Sequence, residues 1–209
     1  MAYRETEKMR QRKAEARQRI IECTWACVSE GGFRSARITR IAALAGVATG
    51  TIYRHFESRE DLFAEIFRLA TQREVDKVAE ALTVGESTVQ RLENALRQFA
   101  TRALKGPMKA WALIAEPVDP KVEEERLVYR KAYASLFEQA IQDGIAEGCL
   151  PDQDARLTST CLVGAISESL VGPLSPTQTK TPPGHENNDN DLVETIVCFC
   201  IRGLTGTRS

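Results

Sequence analysis

"ITRIAALAGVATGTIYRHF" spans residues 38–56, and its spacing decides how the rest of the chain is read. Ile38, Ile41, Ala42 and Ala45 recur at helical period, and Gly46 closes that short stripe. A second short helix is expected from Thr49 to Phe56, where Ile52 and Phe56 share one face. Two helices that cross closely need a small residue at the crossing, and Ala42 meets that need. The turn needs a residue tolerant of positive φ four positions later, and Gly46 meets that one. Ile41, Val47 and Ile52 are apolar where the pair must pack. The pattern is a helix-turn-helix. It leaves Thr51, Tyr53, Arg54 and His55 on outward faces, where they can contact an anion or a base edge.

Helical periodicity continues on both sides, and strand signals are almost absent. Upstream, Ile20, Ile21, Thr24, Trp25 and Val28 form a stripe that Gly31-Gly32 stops. Downstream, Ser58 and Asp61 have N-cap and N3 spacing, a capping box with Asp in place of Glu or Gln. They open a long helix through Leu62, Phe63, Ile66, Phe67 and Ala70 towards Leu82. Further helices are expected over about 87–104, around Trp111, over 121–147, over 152–171 and in the closing LVETIVCFCIRGL (192–204). The stretch 172–191, rich in Pro, Asn and Asp, has the composition of a mobile loop. The class is all-α, with a three-helix helix-turn-helix head on a larger helical-bundle body. The expected division is residues 1–60 and 61–209.

Charge separates the same two parts. The net charge of the 209 residues is −1, yet residues 1–60 carry 12 Lys/Arg against 7 Asp/Glu. A basic first part suits a polyanionic partner, and the acidic remainder does not. Within it, RETEKMRQRKAEARQR (4–19) holds seven basic residues against three Glu. This arm either reaches into a neighbouring groove or extends the first helix as a solvated segment.

At AGVATGTIYRHFESREDLF (45–63) the chain resembles the TetR family of bacterial transcriptional regulators, which covers about residues 17–70 at motif level. The resemblance implies a head that binds double-stranded operator DNA. Thr49, Gly50 and Thr51 would then open the recognition helix towards the bases, Tyr53 and His55 would touch phosphates, and Arg54 could reach either. Tyr53 also fits packing against the first helix, and His55 a plain surface histidine. Arg37, Thr39 and Arg40 around the start of the second helix complete the DNA-facing set. Arg59 stands where the family usually has lysine. Ala36-Arg37 replaces a common Ser/Thr pair and Ala48 a common serine; Arg37 can supply a phosphate contact but cannot cap the second helix, and Thr49 is the expected cap for the third.

The resemblance also implies homodimerisation through the last two helices, where Gly164, Ala165 and Ser167 lie among Leu162, Val163 and Ile166. An unidentified small-molecule effector, mostly apolar, would occupy the body near Phe99, Trp111, Tyr129, Tyr133, Phe137 and Glu168, residues that equally fit core packing. Such a protein would be a repressor, released from a palindromic operator by its effector. The rival reading is a DNA-binding protein of this fold without effector, acting through a protein partner or by coating DNA. Only His55 and His185 are available as histidines, and no metal or nucleophile signature is present, so neither an enzyme nor a cofactor is expected. No signal peptide or membrane span is read, which points to the cytoplasm and no membrane partner.

Overall fold

The computed structural model describes residues 7–177 and 188–206. The helices are α1 (Glu7–Ser35), α2 (Ile38–Ala45), α3 (Thr49–His55), α4 (Arg59–Ala81) and α5 (Thr88–Lys105). Then follow α6 (Pro107–Ile114), α7 (Pro120–Ala146), α8 (Ala155–Leu174) and α9 (Asn188–Thr205). Local chemistry sets several of their ends. The Ser58 hydroxyl accepts from the Asp61 N–H at 3.0 Å and caps α4. Ser87 caps α5 and Asp154 caps α8 in the same way. Pro107 and Pro120 stand in the first turns of α6 and α7, where a missing N–H costs nothing.

Two apolar cores result. The first gathers Ile20, Val28, Phe33, Ile41, Ala42 and Ile52 with Leu62, Phe63, Ile66 and Phe67 of α4. The second gathers Val75 and Val78 of α4 with Leu92, Leu96, Phe137, Ile141, Ile166 and Leu170, and with Val193, Ile196 and Leu204 of α9. The 23 residues of α4 therefore take part in both, its first half in one core and its second half in the other. Ala112 of α6 and Val122 at the start of α7 complete the first core. By length and composition alone α8 would pass for a membrane span, yet its inward side is embedded among α5, α6, α7 and α9.

Two expectations change. The stretch 172–191 is helical at both edges, because α8 continues to Leu174 with Pro173 in its last turn and α9 starts at Asn188; residues 178–187, His185 among them, lie outside the described residues. Gly31-Gly32 does not stop α1 but breaks it, since both have non-helical dihedrals and a last turn follows to Ser35. From Glu7 onward the basic arm is helical, an exposed start of α1, and its residues 4–6 lie outside the described residues.

Candidate DNA-binding face and ligand cavity

The turn between α2 and α3 has the backbone that its glycine permits. Gly46 sits at φ 66° and ψ 34°, the left-handed region, and the Val47 N–H reaches the Ala42 carbonyl at 3.0 Å. Ala42 and Ile52 are buried at the crossing. Neither helix is capped by a side chain. Arg37 holds the cap position of α2 and Ala48 that of α3, so Thr49 is the first helical residue and not the cap. A carboxylate or hydroxyl there would have bonded first-turn amides; neither helix has such a side-chain cap.

Arg37, Thr39, Arg40, Thr49, Gly50, Tyr53 and Arg54 are exposed, and Thr51 and His55 are half-buried. Tyr53, 48% exposed, does not bury its ring against α1. Arg40 pairs with Glu30 at 2.5 Å, but both side chains are largely solvated, so the pair holds little energy against a competing phosphate. Arg59 behaves differently. Its guanidinium lies 4.5 Å over the Phe63 ring and 3.5 Å from the Phe33 carbonyl, which ties it to the head core. Burial, and then the cations of Lys13 and Arg17, pull the His55 pKa below its ordinary value. Both causes disfavour the charged ring and favour the neutral one, which offers an N–H instead of a full cation.

Gly50 stands out on this face for lack of constraint. A Cβ built on it meets nothing within 4 Å. Gly50→Ala is thus expected to stabilise the protein by up to about 1 kcal/mol through helix propensity. On the expectation that the first turn of α3 meets base edges, it should also weaken operator binding, because the added methyl would stand in between. An operator titration in which Gly50→Ala matches wild type would show that the first turn of α3 stands clear of the groove.

Between the two cores lies a cavity of about 560 Å³. Phe99, Tyr129 and Tyr133 line it, with Phe99 and Tyr133 packed edge to face at 5.4 Å. The other three residues expected there do not. Trp111 packs on the second core, Phe137 is fully inside that core, and Glu168 is exposed on the outer side of α8, one position from the lining Ser167. Helix phase explains the misses: sequence shows that a residue is apolar but not which side of a bundle carries the gap. Missed altogether were Trp25 of α1 and Phe67 and Thr71 of α4, all lining residues on the two helices that carry the head. The Thr71 hydroxyl is buried and has no hydrogen-bond partner in the structure. Towards the outside, Arg73, Lys105, Lys109 and Arg130 line the cavity with exposed side chains and no carboxylate partner among the described residues. Arg102 is bound in a two-pronged pair by Glu74.

A polar link connects this region to the head. The buried Glu116, just beyond α6, accepts the N–H groups of Phe33 and Arg34 at 2.8 and 2.9 Å, the first amides after the break in α1. Gly32 makes room for it: at φ 75° and ψ 177°, a Cβ there would stand 2.5 and 2.6 Å from the two carboxylate oxygens. Arg126, itself a lining residue, donates to the Glu116 carbonyl at 2.8 Å and to the Leu113 carbonyl at 3.1 Å. Among the described residues no three His, Cys, Asp or Glu side chains gather as a metal site.

Residues 20–66 match the family model of bacterial regulatory proteins, tetR family, and residues 85–171 match the tetracyclin repressor-like C-terminal domain. The fatty acid metabolism regulator protein of Bacillus subtilis (strain 168) is 22% identical over 166 residues, covering 78% of this chain and 85% of that one. The transcriptional repressor KstR of Mycolicibacterium smegmatis is 29% identical over 132 residues, 62% of this chain and 65% of that one. Among solved structures, FadR from Bacillus subtilis in complex with stearoyl-CoA superimposes with a TM-score of 0.73 at 19% identity, covering 90% of this chain and 98% of that one. RolR in complex with resorcinol gives 0.69 at 18% identity, covering 95% and 91%.

Proposed function

The chain belongs to the TetR family of bacterial transcriptional regulators, and from that premise we propose that it is a homodimeric repressor whose palindromic operator is released by an amphipathic effector. The single observation that carries the effector reading is the cavity. Besides the buried Arg126 its inner lining is largely apolar and aromatic, with one orphan hydroxyl at Thr71, and its outer part offers four cations without a carboxylate partner among the described residues. A long apolar body with an anionic end fits that distribution, and fatty acyl thioesters of coenzyme A have both parts. The stearoyl-CoA held by FadR is of this kind.

The proposed dimer uses α8 and α9. Leu157 is 61% and Phe199 69% exposed, large apolar side chains left on the outer faces of these helices. Added Cβ atoms at Gly164 and Gly203 would meet nothing, so the same faces admit close approach of a second copy. A two-fold axis then presents the two α3 helices to successive major grooves, about 34–36 Å apart. The proposed division is a DNA-binding head (1–60), with Arg37, Thr39, Arg40, Thr49, Gly50, Thr51, Tyr53, Arg54, His55 and Arg59 as its DNA contacts, and an effector-binding and dimerisation body (61–209). α4 is common to both cores. A ligand touching Trp25, Phe67 and Thr71 contacts α1 and α4 directly, and through Arg126 it borders the Glu116 link. It thereby acts on the spacing of the heads, for which coupling of about 1–3 kcal/mol suffices.

The test is an operator titration with stearoyl-CoA, free stearate and the uncharged alcohol of equal length. The acyl thioester should weaken operator binding most, and the alcohol least. Thr71→Val sharpens the test, because it removes the orphan hydroxyl at constant shape. It is expected to fold at least as stably as wild type and to need several-fold more effector for release. Operator binding that none of the three compounds alters would instead favour a regulator without effector, working through a protein partner or by coating DNA.

A further inference from the structure

The basic start of α1 plays no part in the folded core or in the helix-turn-helix. From Glu7 to Glu15 the side chains are exposed, and the first buried residue is Ile20. Lys8, Arg10, Arg12 and Lys13 stand on this stretch against Glu7 and Glu15 only. Lys8 and Arg12 are four residues apart, as are Lys13 and Arg17, and such like-charge pairs weaken a helix in water. The segment is nevertheless continuous with the packed part of α1, which nucleates it. Arg10 pairs with Glu7 at 2.6 Å, but both side chains are largely solvated, so a phosphate can compete for the guanidinium. A net positive charge, held on a rigid rod at a cost to the rod, is suited to an opposite charge of regular spacing.

Its position is fixed by Arg17. The guanidinium lies 4.9 Å over the Phe56 ring, at the C-terminal end of α3, and pairs with Glu65 of α4. Arg10, Lys13 and Arg17 follow a three-and-four spacing, so they share one side of α1. Arg17 shows which neighbour that side meets: the end of the recognition helix. Lys13 and Arg17 both act electrostatically on His55. The rod therefore leaves the head beside His55, at the C-terminal end of α3.

We propose that residues 7–16 form a basic helical spur that lies along the sugar-phosphate backbone beside the recognition helix, a second DNA contact that is blind to sequence. The proposal rests on the DNA-binding reading of the head. Ten residues at a rise of 1.5 Å extend about 15 Å, enough to follow roughly four phosphates of one strand at 3.4 Å along the axis. DNA is preferred to an acidic protein surface because the spur emerges on the face that must already meet phosphates.

The test compares wild type with the variant Lys8→Gln, Arg10→Gln, Arg12→Gln, Lys13→Gln, in which glutamine preserves helix propensity. Arg17 is kept, since it packs into the head. Melting temperature and helix content should not fall, because all four side chains are exposed and two like-charge pairs are relieved. Operator affinity is then measured across a salt series. Removing one ion pair with a phosphate lowers the slope of log K against log salt by about 0.9, so even one such pair per protomer lowers it by about 2 for the dimer. Affinity at physiological salt should fall at least tenfold, equally for operator and unrelated DNA. A hydroxyl-radical footprint should show two symmetry-related backbone positions newly cleaved while the core half-sites stay protected. The double exchange Arg10→Lys, Arg12→Lys should behave as wild type. A variant that keeps both slope and footprint overturns the spur, whereas a wild-type protein that binds no DNA at all overturns the regulator reading itself.

Discussion

Glu116→Ala is expected to cost about 2–5 kcal/mol of stability and to lower operator affinity at least tenfold, with the dimer intact. The carboxylate satisfies two amides at the restart of α1, one of them fully buried. Charge-assisted bonds of this kind contribute about 1.5–3 kcal/mol each, and a buried donor left without a partner adds its own desolvation penalty. The residues so fixed lead directly into α2: the Ala36 N–H bonds the Phe33 carbonyl at 3.2 Å, and the Phe33 ring packs on Phe63 and Phe67 at 5.3 and 6.4 Å. Loosening them frees the helix-turn-helix to tilt against α4. Glu116→Gln retains one acceptor and should fall between. Thermal unfolding, sedimentation and operator titration on the same samples decide the matter; unchanged operator affinity in a variant of lowered melting temperature would confine Glu116 to stability.

Gly32→Ala should be at least as damaging. Its dihedrals lie in a region that is essentially glycine-only, where another residue costs about 1–3 kcal/mol. The new methyl would also stand within 2.6 Å of both Glu116 oxygens and push the carboxylate off its amides. The two contributions can be separated. In a Glu116→Ala background only the backbone strain remains, so Gly32→Ala should cost about 1–2 kcal/mol less there than alone, a coupling typical of residues in contact. Strict additivity in this double-mutant cycle would mean that glycine is needed for its backbone alone.

How much of this is legible in the sequence varies with the range of the interaction. Gly46, Ala42 and the Ser58–Asp61 box act within a few residues, and their chemistry is written at fixed spacing; the helix-turn-helix and the start of α4 follow from it. The helical character of α5 to α9 follows from periodicity. Glu116 and Gly32 stand 84 positions apart, and neither has a local reason to be notable. Gly31-Gly32 reads as the end of a helix because a break and a stop share one composition. The cavity is half legible. Phe99, Tyr129 and Tyr133 are aromatic and central in the body, but Trp111 and Phe137 are equally so and turn elsewhere. Trp25 reads as one member of an apolar stripe and Thr71 carries no local signal; only the packing of α1 and α4 against the body turns them to the gap.

The double membership of α4 bears on how such proteins can be recombined. A head cut at residue 60 would carry Ile52 and Phe56 away from Leu62, Phe63, Ile66 and Phe67, and so arrive at a new body without a large part of its own interior. A workable crossover must fall later, near the middle of α4. That junction takes Trp25 and Phe67 along with it, and they are walls of the chamber in the recipient. Operator preference and chemical preference are therefore partly inherited as one parcel. A graft made to redirect such a regulator to new genes should also be assayed for what it senses.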